Sequence, residues 1–449
     1  MGHKEKTVVF LIVLITIVIL FPLNSVNSQT QLSQITINPD GSVVGTDKIH
    51  QNGNIYTLTG NLNGSIIIEK DNISLDGAGF TLQGPENLNL QETGVSLNGK
   101  TGVVIENLIL IDFYIDIDLI NSSKCIVSSN KIYGNNSEGI VLNNSWNNWI
   151  KQNYVEETRN NGIGVHHSND NFISQNKILS GGIFVGSEKG INFLAGINNV
   201  ISDNILDNSG IDIESSNNTI IGNTISNSSS GISLYNHAST NLLLKNNISN
   251  CTFAIGGGDT NINNTITGNN IVGNYAVALY NGIVNDTFVL NNFINNTKVQ
   301  ITVPSNVRGS SPRWDNGTFG NYYSDYLVQN PNAKEVDGTG AYNTPYTITV
   351  NDTYLVPHTY QVFDNHPLVN PVEISQPPIE VPSWITSTPK PTNQAIPTLY
   401  VVILVVVGVF VISAVVFLLL FRRHRKTALV KKTMPNLHMH NVSELKLAL

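Results

Sequence analysis

The chain has 449 residues, 12% of them charged, and a formal net charge of −8. That balance excludes a nucleic-acid partner, because neutralising phosphates takes clustered Lys and Arg that the body of the chain lacks. Its asparagine-rich middle is not a disordered tract, since Ile, Val and Leu recur between the asparagines at short intervals and supply apolar surface to bury.

At the N-terminus Lys4 and Lys6 precede an apolar run from Thr7 to Phe21, which Pro22 breaks. Small residues at Val26-Asn27-Ser28 then offer a cleavage site, so residues 1–28 read as a secretory signal and the rest as exported. Asn-X-Ser/Thr sites follow in number, among them Asn63, Asn72, Asn121, Asn143, Asn217, Asn247, Asn285, Asn316 and Asn351, which makes a glycoprotein the expectation. Residues 29–65 are expected to form an N-terminal extension and cap, because solenoids need their open ends covered.

Residues 66–300 are governed by a period. The pattern "apolar-x-x-Asn-x-apolar" is centred on Asn107, Asn130, Asn153, Asn176, Asn204, Asn223, Asn246, Asn269 and Asn292. Successive spacings are 23, 23, 23, 28, 19, 23, 23 and 23 residues, and a Gly-Ile marker keeps the same rhythm from Gly139-Ile140 to Gly231-Ile232. Helical repeats are longer and carry 3.6-residue stripes, whereas these units alternate with period two: Ile232 and Leu234 share one face, Ser233 and Tyr235 the other. The reading is an all-β solenoid of ~23-residue coils, stacked at about 4.8 Å. Equivalent asparagines should form a column of amides bonded from coil to coil, at a bend whose left-handed backbone Asn tolerates.

The core follows from the same register. Ile140, Ile163, Ile183, Ile211, Ile232, Ile255 and Val277 form one inward row; Leu97, Leu119, Leu142, Val165, Val185, Ile213, Leu234 and Leu279 form its neighbour, with a gap at Gly257. Extra residues around Gly186 to Asn199 should bulge from one coil. Cys125 and Cys251 lie between five and six coils apart, ~25 Å along the axis, too far to pair. Outward positions beside the Gly-Ile row are His166, Asp212, Glu214, Tyr235, His237 and Tyr280, and acids and aromatics at strand spacing can hold a sugar chain. Asp212 and Glu214 have no Arg or Lys in a neighbouring row and no sheltering wall, so no catalytic residue is assigned. His166 and His167 are neighbours on a strand and face opposite sides, so no metal site and no cofactor are expected.

The repeat gives way at residues 301–370 to an aromatic, glycine-rich segment that reads as a C-terminal cap. Pro-rich residues 371–397 then read as an extended stalk. From Leu399 to Phe421 there is no charge and no Pro, a length of ~34 Å as helix, and Arg422, Arg423, Arg425 and Lys426 follow at once. Residues 398–421 are therefore expected to form a transmembrane helix, a single-pass C-terminal anchor in the cell membrane, with an extracytoplasmic ectodomain and a basic tail at 422–449.

The cap carries Trp314-Asp315-Asn316-Gly317, Tyr322-Tyr323-Ser324-Asp325-Tyr326, Asp337-Gly338-Thr339-Gly340 and Asp364-Asn365-His366-Pro367. With the Asn-rich coils, residues 60 to 372 resemble the NosD-type β-helix proteins of archaeal surfaces, also grouped as carbohydrate-binding and sugar-hydrolase repeats. The resemblance implies a pectin-lyase-like, right-handed parallel β-helix. Tyr323 stands where relatives carry Trp, and Ala341-Tyr342-Asn343 replaces the Ile-Gly-Asp of a loop that resembles a Ca²⁺ site. The functional expectation is a membrane-anchored surface protein that binds glycan or envelope components. The alternatives are a polysaccharide lyase or hydrolase and, by the resemblance, a copper-handling accessory protein.

Overall fold

A computed structural model of the chain describes residues 33–85, 91–134, 137–156, 158–186, 196–236, 238–257, 261–275, 277–279, 283–297, 300–303, 312–352 and 358–375. All lie in the first of the chain's two units, Met1–Ile379. Residues 1–28, the stalk beyond 375, the Leu399–Phe421 stretch and the basic tail fall outside the described residues, as do the candidates His237 and Tyr280.

The described chain is a parallel β-solenoid. Each coil runs through three short strands, for example Glu138–Asn143, Trp149–Lys151 and Tyr154–Val155, before the next coil opens at Asn161–His166. We call the three faces sheets 1, 2 and 3 in that order. In-register partners stack like on like: Ile140 on Ile163 in sheet 1, Ile150 on Ile173 in sheet 2, Val155 on Ile178 in sheet 3. A three-residue strand has one inward side chain, and in Ile220, Leu243 and Ile266 it is an aliphatic group with no exposed surface. Both predicted core rows lie in sheet 1, with one slip. In the last coil Leu279 stands over Ile255 and Val277 over Phe253, two residues from the expected register.

The amide column exists. Asn130 donates from Nδ2 to Asn153 Oδ1 at 3.1 Å, and Asn153 to Asn176 Oδ1 at 3.0 Å. It continues through Asn204, Asn223, Asn246, Asn269, Asn291 and Asn321. Two members of the sequence series are one residue off. Leu108 takes the rung expected of Asn107, and Asn291 that of Asn292. The left-handed backbone also falls on the preceding residue: Asn107, Ser129, Gln152, Gln175, Asp203, Lys245 and Leu290 have φ from 54° to 59°. Asparagine is thus selected at the rung for its amide, not for its backbone tolerance. A second column, between sheets 1 and 2, runs Asn148, Asn171, Asn199, Asn218, Asn241, Asn264. Cys125 and Cys251 sit at the heads of such rungs, donating backbone N–H to Asn148 and Asn274, and both are buried, free thiols.

Both long columns point one way and end alike. Each asparagine donates through its backbone N and Nδ2 to the next oxygen toward the C-terminus, so the last rung must be an acceptor. Asp286 ends the second column, taking Asn264 N at 2.7 Å; Asp364 ends the first, taking Asn321 N at 2.7 Å and Tyr323 OH at 3.1 Å. Around the Asp364 end the cap is a run of buried rings, Trp314 on Phe288 at 4.8 Å and Tyr323 between Phe293 at 5.3 Å and Tyr346 at 3.7 Å.

One expectation is corrected. Among the described residues no helix is long and apolar enough to cross a membrane; the helix Tyr326–Gln329 has four residues. The reading of Leu399 to Phe421 rested on its length, its apolarity and the cations Arg422, Arg423, Arg425 and Lys426 that follow it, and that stretch lies outside the described residues. The single-pass anchor, the membrane partner and the cell-membrane localisation are withdrawn, and the architecture stated is the solenoid with its cap.

Two stability tests follow. Asn153 accepts from Asn130 N and Nδ2 and donates to Val127 O and Asn176 Oδ1. Asn153→Ala strands buried partners on both neighbouring coils and should cost about 3 kcal/mol or more in urea unfolding; a loss below about 0.5 kcal/mol would show the ladder to be incidental. Asp286 is fully buried, and burial pushes its carboxyl up to about 7 against the donors from Asn264. A raised acid pKa means the folded state holds the proton better, so its charge destabilises the fold increasingly as pH rises from about 4 to about 7. Asp286→Asn should therefore raise stability by about 1–3 kcal/mol at pH 8 and by little at pH 4. A gain independent of pH would contradict this.

Candidate active site

The outward face of sheet 1 carries the titratable side chains. The strand register aligns Asp118, Val141, Gly164, Phe184 and Asp212 in one outward column, and Asn143, His166 and Gly186 in the next. Glu138 and Asn161 pair in a third. Within this grid His166 Nε2 lies 3.3 Å from Glu138 Oε1, and Asn161 Nδ2 donates to the same oxygen at 2.5 Å. The contact depends on Gly164. A β-carbon there would stand 2.5 Å from His166 Nε2 and 3.2 Å from Glu138 Oε1, so only glycine lets the imidazole lie across the strand toward the carboxylate. Phe184 backs the ring at 5.1 Å between centroids.

Asp118 and Glu138 line one groove of about 380 Å³ with Val141, Asn143 and His166. A second lobe of about 530 Å³ shares Glu138 and His166 and reaches Tyr114, Phe184 and Glu214. The two carboxyls are driven apart. Burial, reinforced by the charge of Glu138, pushes Asp118 up to about 6 against the pull of His166. Burial acts on Glu138 too, but the hydrogen bond and charge of His166 and the Asn161 amide outweigh it and hold this carboxyl below its ordinary range. Asp118 Oδ1 and His166 Nδ1 are buried and have no hydrogen-bond partner in the protein. A carboxyl that holds its proton up to about pH 6 beside one held below its ordinary range, with unused polar atoms in one groove, suits acid–base chemistry.

Of the six residues singled out from sequence, His166 lies in this cluster. Glu214 lines the far lobe, two coils on, and Tyr235 donates its backbone N–H to Ile213 O, one coil beyond that. Asp212 is exposed and shares the outward column of Asp118, four coils away. Sequence reasoning missed Asp118 and Glu138, of which only Asp118 was within reach. Asp118 precedes the core residue Leu119 and so points outward by alternation, whereas Glu138 lies two residues before the core residue Ile140, where strict alternation would turn it inward. The ladder pairs Glu138 with Asn161 and Ile140 with Ile163 but leaves Gly139 between them unpaired.

Residues 178–328 match the family described as "Periplasmic copper-binding protein (NosD)", and residues 93–210 match "Right handed beta helix region". The chain carries a right-handed parallel β-helix. No curated protein matches it. Solved structures similar to this β-helix include the A-module of mannuronan C-5 epimerase AlgE6 from Azotobacter vinelandii, at 14% identity and TM-score 0.36, covering 60% of this chain and 87% of that one. A mutant tailspike protein of E. coli bacteriophage HK620, in complex with a hexasaccharide, is 14% identical at TM-score 0.36 over 65% of this chain and 62% of its own. A mutant periplasmic alginate epimerase AlgG is 12% identical at TM-score 0.33 over 64% and 82%. Likenesses this distant carry no argument about the chemistry of this chain.

The residues present do not fit the copper that the NosD description names. Met occurs only at positions 1, 434 and 439, and Cys125 and Cys251 are buried in different coils. Among the described residues no group of three or more His, Cys, Asp or Glu side chains could hold a metal ion.

If Gly164 makes the His166–Glu138 contact possible, Gly164→Ala should part the two. The Glu138 carboxyl, freed from His166 but still half-buried, should then titrate higher, as followed by carboxyl-carbon NMR against pH. An unchanged Glu138 titration would mean that the ring finds the same contact without the gap.

Proposed function

We propose that this β-helix is a polysaccharide-cleaving enzyme whose acid–base chemistry resides in Asp118, Glu138 and His166. The supporting observation is the opposed pair: two half-buried carboxyls in one groove, one pushed toward its neutral form and the other held ionised. Asp118 in its neutral form is suited to protonate the oxygen that leaves when a glycosidic bond breaks. Glu138, kept charged by His166 and Asn161, is suited to accept a proton on the other side of the reaction. A groove open along stacked coils accepts a chain rather than a single small molecule, and the rings of Tyr114 and Phe184 offer faces for sugar. Glycan binding without turnover leaves the opposed carboxyls unexplained, and this favours catalysis.

The test is glycan cleavage by the purified chain. Asp118→Asn and Glu138→Gln, both close to isosteric, should each lower kcat/KM by about 100-fold or more while the melting temperature stays near that of the parent. Turnover by the parent should fall as pH rises through about 6, where Asp118 ionises. Both variants retaining full activity would remove the assignment.

A further inference from the structure

We infer that the groove takes an electrically neutral glycan, of hexose or N-acetylhexosamine units, and cleaves it by hydrolysis rather than elimination. The inference rests on the polysaccharide-cleaving reading above and adds the substrate class. Its ground is the charge of the groove wall. Asp118, Glu138 and Glu214 line the two lobes, whereas no Lys or Arg is among the described residues that line them. Arg159 is the nearest cation in sequence, beside Asn160 at the rim, and is not itself a lining residue.

A uronate chain would bring one carboxylate per sugar into this wall of like charge, without a counter-charge to receive it. Elimination makes the difficulty worse. It removes the proton next to the uronate carboxylate, and the negative charge that then builds on that group needs a cation or a metal to hold it. Here the candidate base, Glu138, is an anion whose partner His166 is already engaged with it. Hydrolysis places no such demand. Water adds its oxygen to the anomeric carbon and gives a proton to Glu138, while the bond from that carbon to the glycosidic oxygen breaks and Asp118 delivers its proton to the departing oxygen. Solvent then returns the proton from Glu138 to Asp118, so both residues are restored. The positive charge that develops on the sugar ring in this route is favoured by the carboxylates that would repel a uronate. The aromatic lining points the same way, since Tyr114 and Phe184 meet the C–H faces of a sugar and add no charge.

The experiment incubates the full chain separately with neutral polymers (β-glucan, mannan, galactan, chitin oligomers) and with uronate polymers (alginate, polygalacturonate). New reducing ends and the ultraviolet absorbance of unsaturated uronate are followed together. The expected result is reducing ends from a neutral polymer without unsaturated product, lowered about 100-fold or more in Asp118→Asn. Unsaturated product from a uronate polymer, lost in Asp118→Asn, would overturn the neutral-substrate inference and leave the polysaccharide-cleaving reading standing. Arg159→Ala would then show whether the rim cation receives the uronate, by a rise in KM. Reducing ends from a uronate polymer alone would also overturn it. Cleavage of no polymer in either set would overturn both.

Discussion

The amide of one asparagine resting on the amide of the next is the interaction on which the rest of this molecule depends. A three-residue strand cannot hold its place by backbone pairing alone, and each coil of sheets 2 and 3 offers little more than that. A rung such as Asn153 closes the account of polar groups at the corner, because its oxygen takes two donors and its nitrogen reaches two acceptors. With every group satisfied, a buried polar column specifies one register. A coil that slipped by one residue would leave a whole corner of amides unpaired.

Much of this was legible in the sequence, and the errors have physical causes. The stacking of Asn130, Asn153 and Asn176 followed from spacing alone. The assignments of Asn107 and Asn292 failed by one residue because both are asparagines adjacent to the true rung, where Leu108 and Asn291 stand. The second column, with spacings of 23, 28, 19, 23 and 23 from Asn148 to Asn264, repeats the rhythm of the first and could have been read from it. The catalytic candidates were harder. Asp118 and Glu138 lie twenty residues apart and in different outward columns, and only the ring of His166, passing over Gly164, draws the cluster together. Alternation tells which face a side chain takes; it does not tell how far a long side chain leans across that face.

The directionality of the columns accounts for an otherwise costly choice at the C-terminal end. Two fully buried carboxyls, Asp286 and Asp364, both pushed up by burial, occupy the positions where the donating series must stop. A carboxyl group there receives the last donors without leaving an amide N–H over, although at Asp286 the cost of the buried charge outweighs that advantage once pH passes about 7. At Asp364 those oxygens also take Tyr323 OH and the backbone of His366, so the chemical end of the ladder is also the attachment of the aromatic cap.

The same two columns explain why the groove lies on sheet 1. From a rung of the second column to the next rung of the first the distance is five residues in every coil: Asn148 to Asn153, Asn171 to Asn176, Asn199 to Asn204, Asn218 to Asn223, Asn241 to Asn246, Asn264 to Asn269 and Asp286 to Asn291. Sheet 2 is clamped between those rungs and cannot change length. From the first column round to the second the distance is 18 residues for Asn130 to Asn148 and Asn153 to Asn171, then 23 for Asn176 to Asn199 and 14 for Asn204 to Asn218. All the tolerated variation therefore falls on the path through sheets 3 and 1. That path is where longer strands, glycine gaps and titratable side chains can be accommodated without breaking a rung. A rigid corner on one side and a variable face on the other divide the work of the fold: the fixed ladders hold Asp118, Glu138 and His166 in register, while the face itself remains free to vary in length and in its side chains.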